Sequence, residues 1–134
     1  MQYLLLIHHD ERAWNELGET EQQKIYGEYR QLMTEMQATG QFLSGSQVQS
    51  SASATTVRVR GGTPLVTDGP FAETSEQLGG YFLVEVENLD TAIALAERIP
   101  SARMGTIEVW PLRRGAQPAA EPAAPASTGV RSGT

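Results

Sequence analysis

The chain has 134 residues, 40% of them hydrophobic, with 16 Asp and Glu against 10 Lys and Arg and no cysteine. This length and balance predict one globular domain with a modest core and exclude a disulfide framework, a thiolate nucleophile and any Cys-based metal site. The net charge of -6 repels phosphate backbones, which argues against nucleic acid as a partner, and no apolar run approaches the ~20 residues of a membrane helix, which argues against a membrane.

Tyr3 to His9 is apolar on both faces, with Tyr3, Leu5 and Ile7 pointing one way and Leu4 and Leu6 the other, as in a central strand covered on both sides. The chain enters this strand straight after Met1 and Gln2, with no basic segment or cleavage pattern, so no signal peptide and a cytoplasmic location are expected. Thr20 followed by Gln23 has the spacing of a capping box. The helix it opens aligns Ile25, Tyr29, Leu32, Met33 and Met36 in one apolar stripe, and Gly40 supplies a left-handed cap. Phe42 to Val48 and Thr55 to Arg60 read as strands, with Gly61 and Gly62 as a hairpin turn into Leu65 to Thr67. Tyr81 to Glu87 alternates, placing Phe82, Val84 and Val86 on one face and Tyr81, Leu83 and Glu85 on the other. A second helix, capped by Asn88 or Asp90, runs through Ile93 and Leu95 and ends at Pro100. Gly105 to Trp110 is a last strand, stopped by Pro111. From Gly115 onward, "GAQPAAEPAAPASTGVRSGT" holds too little apolar surface to offset an ordering entropy of roughly 1 to 2 kcal/mol per residue. Residues 115–134 are therefore expected to form a disordered tail on a folded domain, 1–114.

This order of elements predicts an α+β fold, a ferredoxin-like antiparallel sheet with two helices on one face. The other face then carries apolar side chains with no cover, and a bare apolar sheet is an unusually large exposed patch. A homodimer packed sheet to sheet is the simplest cover. A single chain with an apolar ligand is the alternative.

The stretch "TDGPFAETSEQLGGYFLVEVENLDTAIALAERIP", followed by "GTIEVWPL" and preceded by "YLLLIHHDERAW" and "ATTVRVRGGTPLV", resembles the DGPF branch of the YCII-related proteins. The likeness spans 1–114 and leaves the tail unmatched. It implies the dimeric α+β barrel, with a cleft between the sheet and a helix or loop. The wider superfamily includes small-molecule isomerases, monooxygenases and dechlorinating or decarboxylating enzymes, while this branch is mostly uncharacterised. Members are often encoded beside alternative sigma factors, which implies sigma factor association as a partner. YCII-type relatives share a helix-borne His and a nearby Asp as an acid/base pair, and the position that matches this His is Tyr29. A phenol titrates near ~10 and an imidazole near ~6.5, so histidine chemistry on that helix does not carry over.

Candidate site residues follow from these placements. Asp68 sits in an Asp-Gly-Pro turn, where its carboxylate either bonds local backbone N–H groups or, on a loop entering the cleft, accepts a proton or orients a ligand. Phe71 and Glu73 in the same loop are ligand contacts on the second reading, although Glu73 with Glu76 also fits a solvated loop. His8 and His9, the two histidines of the chain, end the first strand and point to opposite faces, so one of them lines any cleft. They cannot share a metal, and no third ligand has a place, so no metal and no cofactor are expected. Arg58, with Arg60 on the same strand face and Glu85 opposite, is either a clamp for a carboxylate ligand or part of a charged sheet edge. Gly79 and Gly80 permit close backbone approach or a bulge, and Trp14, Trp110 and the Tyr26, Tyr29, Met33 stripe read as packing. The catalytic candidates are thus Asp68, His9 and Tyr29, and the ligand-binding candidates His8, Arg58, Phe71, Glu73 and Tyr81. Two functional classes follow. One is a small cofactor-free enzyme or enzyme-like binder of a small polar organic molecule, with isomerase- or lyase-like proton transfer. The other is a non-catalytic, ligand-sensing regulator linked to a sigma factor.

Overall fold

The computed structural model describes residues 1–113. The chain runs β1 (Gln2–His9), α1 (Glu11–Glu16), α2 (Glu19–Ala38), β2 (Phe42–Gln47), β3 (Thr55–Arg60), β4 (Thr63–Asp68), β5 (Gln77–Glu85), α3 (Leu89–Arg98) and β6 (Thr106–Pro111), with short 3-10 turns at Ser51–Ser53 and Pro100–Arg103. Four strands form one antiparallel sheet in the order β2-β5-β1-β6. Since β1 and β2 both run antiparallel to β5, they are parallel to each other, and α2 makes the crossover between them. This is the ferredoxin-like α+β plan. The expected tail, 115–134, lies outside the described residues.

Strand alternation sorts the core. Tyr3, Leu5 and Ile7 of β1 and Phe82 and Val84 of β5 turn to one face, where they bury against Leu32 and Met36 of α2 and Ala92 and Leu95 of α3. Leu5 and Val84 are fully buried, so truncating either to Ala removes contacts that no neighbour replaces; for Leu5 the cost is about 2 to 5 kcal/mol. Ile93 of α3 lies on the outer side at 39% exposure. The other face of the sheet, with Leu4, Leu6 and Leu83 half-buried and Trp110 exposed, has no helix over it among the described residues.

Local chemistry sets the boundaries. α2 starts one residue before Thr20, with Gly18 as its N-cap and no side-chain cap bond, so the expected Thr20–Gln23 capping box does not form. Its end follows the expectation: Gly40 takes φ +79°, and the Gln41 N–H donates to the Met36 carbonyl at 2.9 Å. The α3 cap is Asn88, whose side-chain oxygen accepts from the Thr91 N–H at 2.9 Å. α1 interrupts a segment in which no element was expected. Asp10 caps it, accepting from the Arg12 N–H at 2.9 Å and the Ala13 N–H at 3.3 Å.

β3 and β4 pair only with each other and stand apart from the four-stranded sheet. Val57 lies opposite Val66 on one face of this hairpin, both more than 60% exposed, and Arg58 lies opposite Leu65 on the other. The expected opposition of Arg58 and Glu85 is therefore not formed. Glu85 instead faces Gln2 and accepts from the Met1 ammonium at 2.6 Å, which holds its carboxyl below the usual carboxylate range. Among the described residues no helix is long and apolar enough to cross a membrane.

Candidate acid/base cavity

A cavity of about 330 Å³ opens between α2 and the helix-covered face of the sheet. Tyr26, Tyr29, Arg30 and Met33 line it from α2, at the i, i+3, i+4 and i+7 positions of one helical face. Ile7, His9, Phe82 and Gly79 line it from the sheet, Trp14 from α1 and Ser101 from the 3-10 turn after α3. Its walls are thus mostly aromatic and aliphatic, with a few polar groups at fixed points.

Alternation carries His9 to the face of Ile7, and a bulge in β5 places Gly79 beside it. Ile7 pairs with Gly80 while His8 pairs with Leu78, so Gly79 is the extra residue of β5. The ring of His9 lies over Gly79: a Cβ there would sit 3.0 Å from its Nε2. Of the two roles expected of the glycine pair, Gly79 takes the bulge and admits the imidazole, and Gly80 takes the close backbone approach, where a Cβ would sit 2.6 Å from the Ser46 carbonyl oxygen. Trp14 stacks beside His9 with ring centroids 6.2 Å apart, and Tyr26 meets Trp14 edge-on at 5.4 Å. Among the described residues the ring nitrogens of His9 have no hydrogen-bond partner, which leaves both for a ligand.

Tyr29 closes the opposite wall. Its hydroxyl lies 2.7 Å from the Ser101 hydroxyl, and its ring packs against Phe82 at 6.3 Å. Burial raises its pKa above the ordinary phenol value, opposed by the Ser101 hydrogen bonds and by Arg103. At neutral pH Tyr29 is a neutral phenol. It can donate a hydrogen bond but cannot serve as the base.

The remaining sequence candidates are elsewhere. His8 turns to the open sheet face, its Nε2 3.0 Å from Glu108 Oε1. Tyr81 borders the cavity from β5, yet alternation sends its side chain to the open face beside Leu6, where its hydroxyl lies 3.1 Å from that of Ser44. Asp68 ends β4 opposite Thr55, exposed, and makes no side-chain hydrogen bond among the described residues. Its turn is held by Gly69, at φ +92°, whose N–H donates to the Ala54 carbonyl at 2.6 Å. Phe71, 78% exposed, and Glu73 belong to the loop after it, and Arg58 to the hairpin. The cavity thus brings His9 and Tyr29 together and leaves Asp68, Arg58, Phe71 and Glu73 outside its lining. Trp14, Tyr26, Arg30 and Ser101 are lining residues to which the sequence assigns no site role. The helical spacing of Arg30 from Tyr26 and Met33 was the available signal for it. Among the described residues no three His, Asp or Glu side chains group as metal ligands.

Fold and cavity define a ferredoxin-like α+β protein with an aromatic pocket between helix and sheet. The chain belongs to the YCII-related domain family, whose model matches residues 1–115. It is 30% identical over 114 residues to an uncharacterized protein of Rhizobium meliloti (strain 1021), an alignment that covers 84% of this chain and 92% of that protein.

Proposed function

We propose that this chain takes a small organic molecule into the cavity and exchanges a proton with it at His9, without a cofactor. The observation that carries this reading is the imidazole held over Gly79, with unengaged nitrogens, across the cavity from a neutral phenol. Histidine is the side chain best suited to move protons near neutral pH. A ligand carbonyl directed at Tyr29 and Ser101 meets a hydroxyl pair with two O–H hydrogens, one spent between them and one left to donate. His9 then takes a proton from the carbon beside that carbonyl, and its return at another position completes an isomerisation with the imidazole restored. The mostly apolar walls shift the expected ligand from a fully polar molecule to one with an apolar body and a polar end. A homodimer formed through the open sheet face, located in the cytoplasm, is part of the same proposal. It is supported by the unhelixed apolar face and the absence of cysteine.

Hydrogen–deuterium exchange into small carbonyl compounds, followed by NMR in D2O, tests the chemistry. The parent should exchange the C–H beside the carbonyl faster than buffer, and His9→Gln should lose about a hundredfold of that rate, the usual scale of general-base catalysis. Equal exchange by both proteins overturns the catalytic reading. Ligand binding without exchange points to a sensor, the role in which a sigma factor would be the partner.

A further inference from the structure

Among the described residues Arg30 is the one lining residue with a permanent charge, and no carboxylate lines the cavity with it. The acids nearest it along α2 are already engaged: Glu28 by Arg103 at 2.7 Å and Glu35 by Arg98. Among the described residues no carboxylate lies within 4.0 Å of the Arg30 guanidinium. In a chain of net charge -6, Arg30, itself exposed, borders a chamber whose walls are mostly aromatic or aliphatic, with Ser46, Gln47 and Ser101 among its polar side chains. A guanidinium fork matches a carboxylate with two parallel hydrogen bonds, and Trp14 and Tyr26 supply ring faces and edges for a planar π-system. A phosphate dianion would demand more charge and more donors than one arginine provides.

Resting on the reading of this cavity as the ligand site, we infer that its ligand class is a compact aromatic monocarboxylate. The carboxylate pairs with Arg30 at the mouth, and the ring lies between Trp14, Tyr26 and the sheet. The inference adds to the proton-transfer proposal a rule of selection: charge and aromaticity are read together, by different walls.

Chemical-shift titration of the isotopically labelled full chain tests it with three probes of similar size: benzoate, its neutral isostere benzamide, and cyclohexanecarboxylate. Benzoate should saturate and shift the Trp14 indole N–H, with benzamide and cyclohexanecarboxylate each at least about tenfold weaker, the loss of one charged pair or one aromatic contact set. Arg30→Gln should bring benzoate to the benzamide level and leave benzamide unchanged. Benzoate binding by the parent is read without any proton exchange, which separates this inference from the proton-transfer proposal. Equal binding of benzamide removes the anion assignment, equal binding of cyclohexanecarboxylate removes the aromatic one, and no binding of benzoate overturns the inference whole. In none of these cases is the deuterium-exchange result for His9 decided.

Discussion

Ionising Tyr29 would place a phenolate in a mostly buried site, and that consequence can be read in stability as well as in chemistry. Burial raises its pKa in the fold above the unfolded value near 10, so above pH ~10 the folded chain holds this proton when the unfolded chain has lost it. The stability tied to the neutral phenol is complete below pH ~10 and falls as pH rises through the folded pKa. Tyr29→Phe removes this alkaline limb. It also strips Ser101, only 4% exposed, of its hydroxyl partner, at about 1 to 3 kcal/mol for an unsatisfied buried group. Denaturant unfolding at pH 7 should show that loss, and unfolding between pH 9 and 11 should show a flatter pH dependence than in the parent. A parent and variant with the same slope would mean that Tyr29 does not titrate with folding.

At the scale of elements, α1 decides whether Trp14 forms a wall of the cavity. Six residues cannot sustain a helix alone, and α1 buries none of them. Polar bonds anchor it instead: the Asp10 cap, the Glu11 carboxylate accepting from the Ser51 N–H at 2.7 Å and its hydroxyl at 2.8 Å, and the Gln22 side chain donating to the Trp14 carbonyl at 2.9 Å. Asp10→Ala should cost the helix about 1 kcal/mol and open α1 locally without unfolding the sheet. Hydrogen exchange should rise over residues 11–16 while β1 and β5 keep their protection. Equal loss across the sheet would show that α1 is part of the global core. These anchors also explain why α1 escaped the sequence reading, since its residues carry no apolar periodicity and its partners are distant in the chain. The periodic elements β1, α2, β5, α3 and β6 were legible because alternation or a helical stripe records which face is buried. The hairpin was legible as two strands but not as a separate ribbon, because alternation does not name the sheet a strand joins. The site was half legible. The two histidines were seen to diverge, and alternation puts His9 on the face of Ile7, but that the cavity opens on that face, under Trp14 and Tyr29, is a matter of packing that the strand pattern does not record.

On the scale of the whole molecule, the two faces of the sheet are unequal, and this inequality is the physical ground for a second copy. On the open face Leu4 lies beside Leu83 on one neighbour strand and Trp110 on the other, forming an apolar row across three strands, and Trp110 is 53% exposed in the single chain. Two such sheets face to face sit about 10 Å apart and interleave their side chains, and a two-fold arrangement lets each patch cover its own copy. The His8–Glu108 pair sits on the same face and gives the patch a polar margin. Sedimentation at micromolar concentration should therefore give twice the chain mass of 14.6 kDa. Leu4→Asp, at the centre of the row, would bury an unpaired carboxylate in the dimer but leave it in partial contact with water in the single chain, so the variant should sediment as a folded monomer. Its far-ultraviolet circular dichroism should match the parent, because Leu4 points away from the core under α2 and α3. A parent that sediments as a monomer, or a Leu4→Asp protein that remains dimeric, would show that the open face is not the interface.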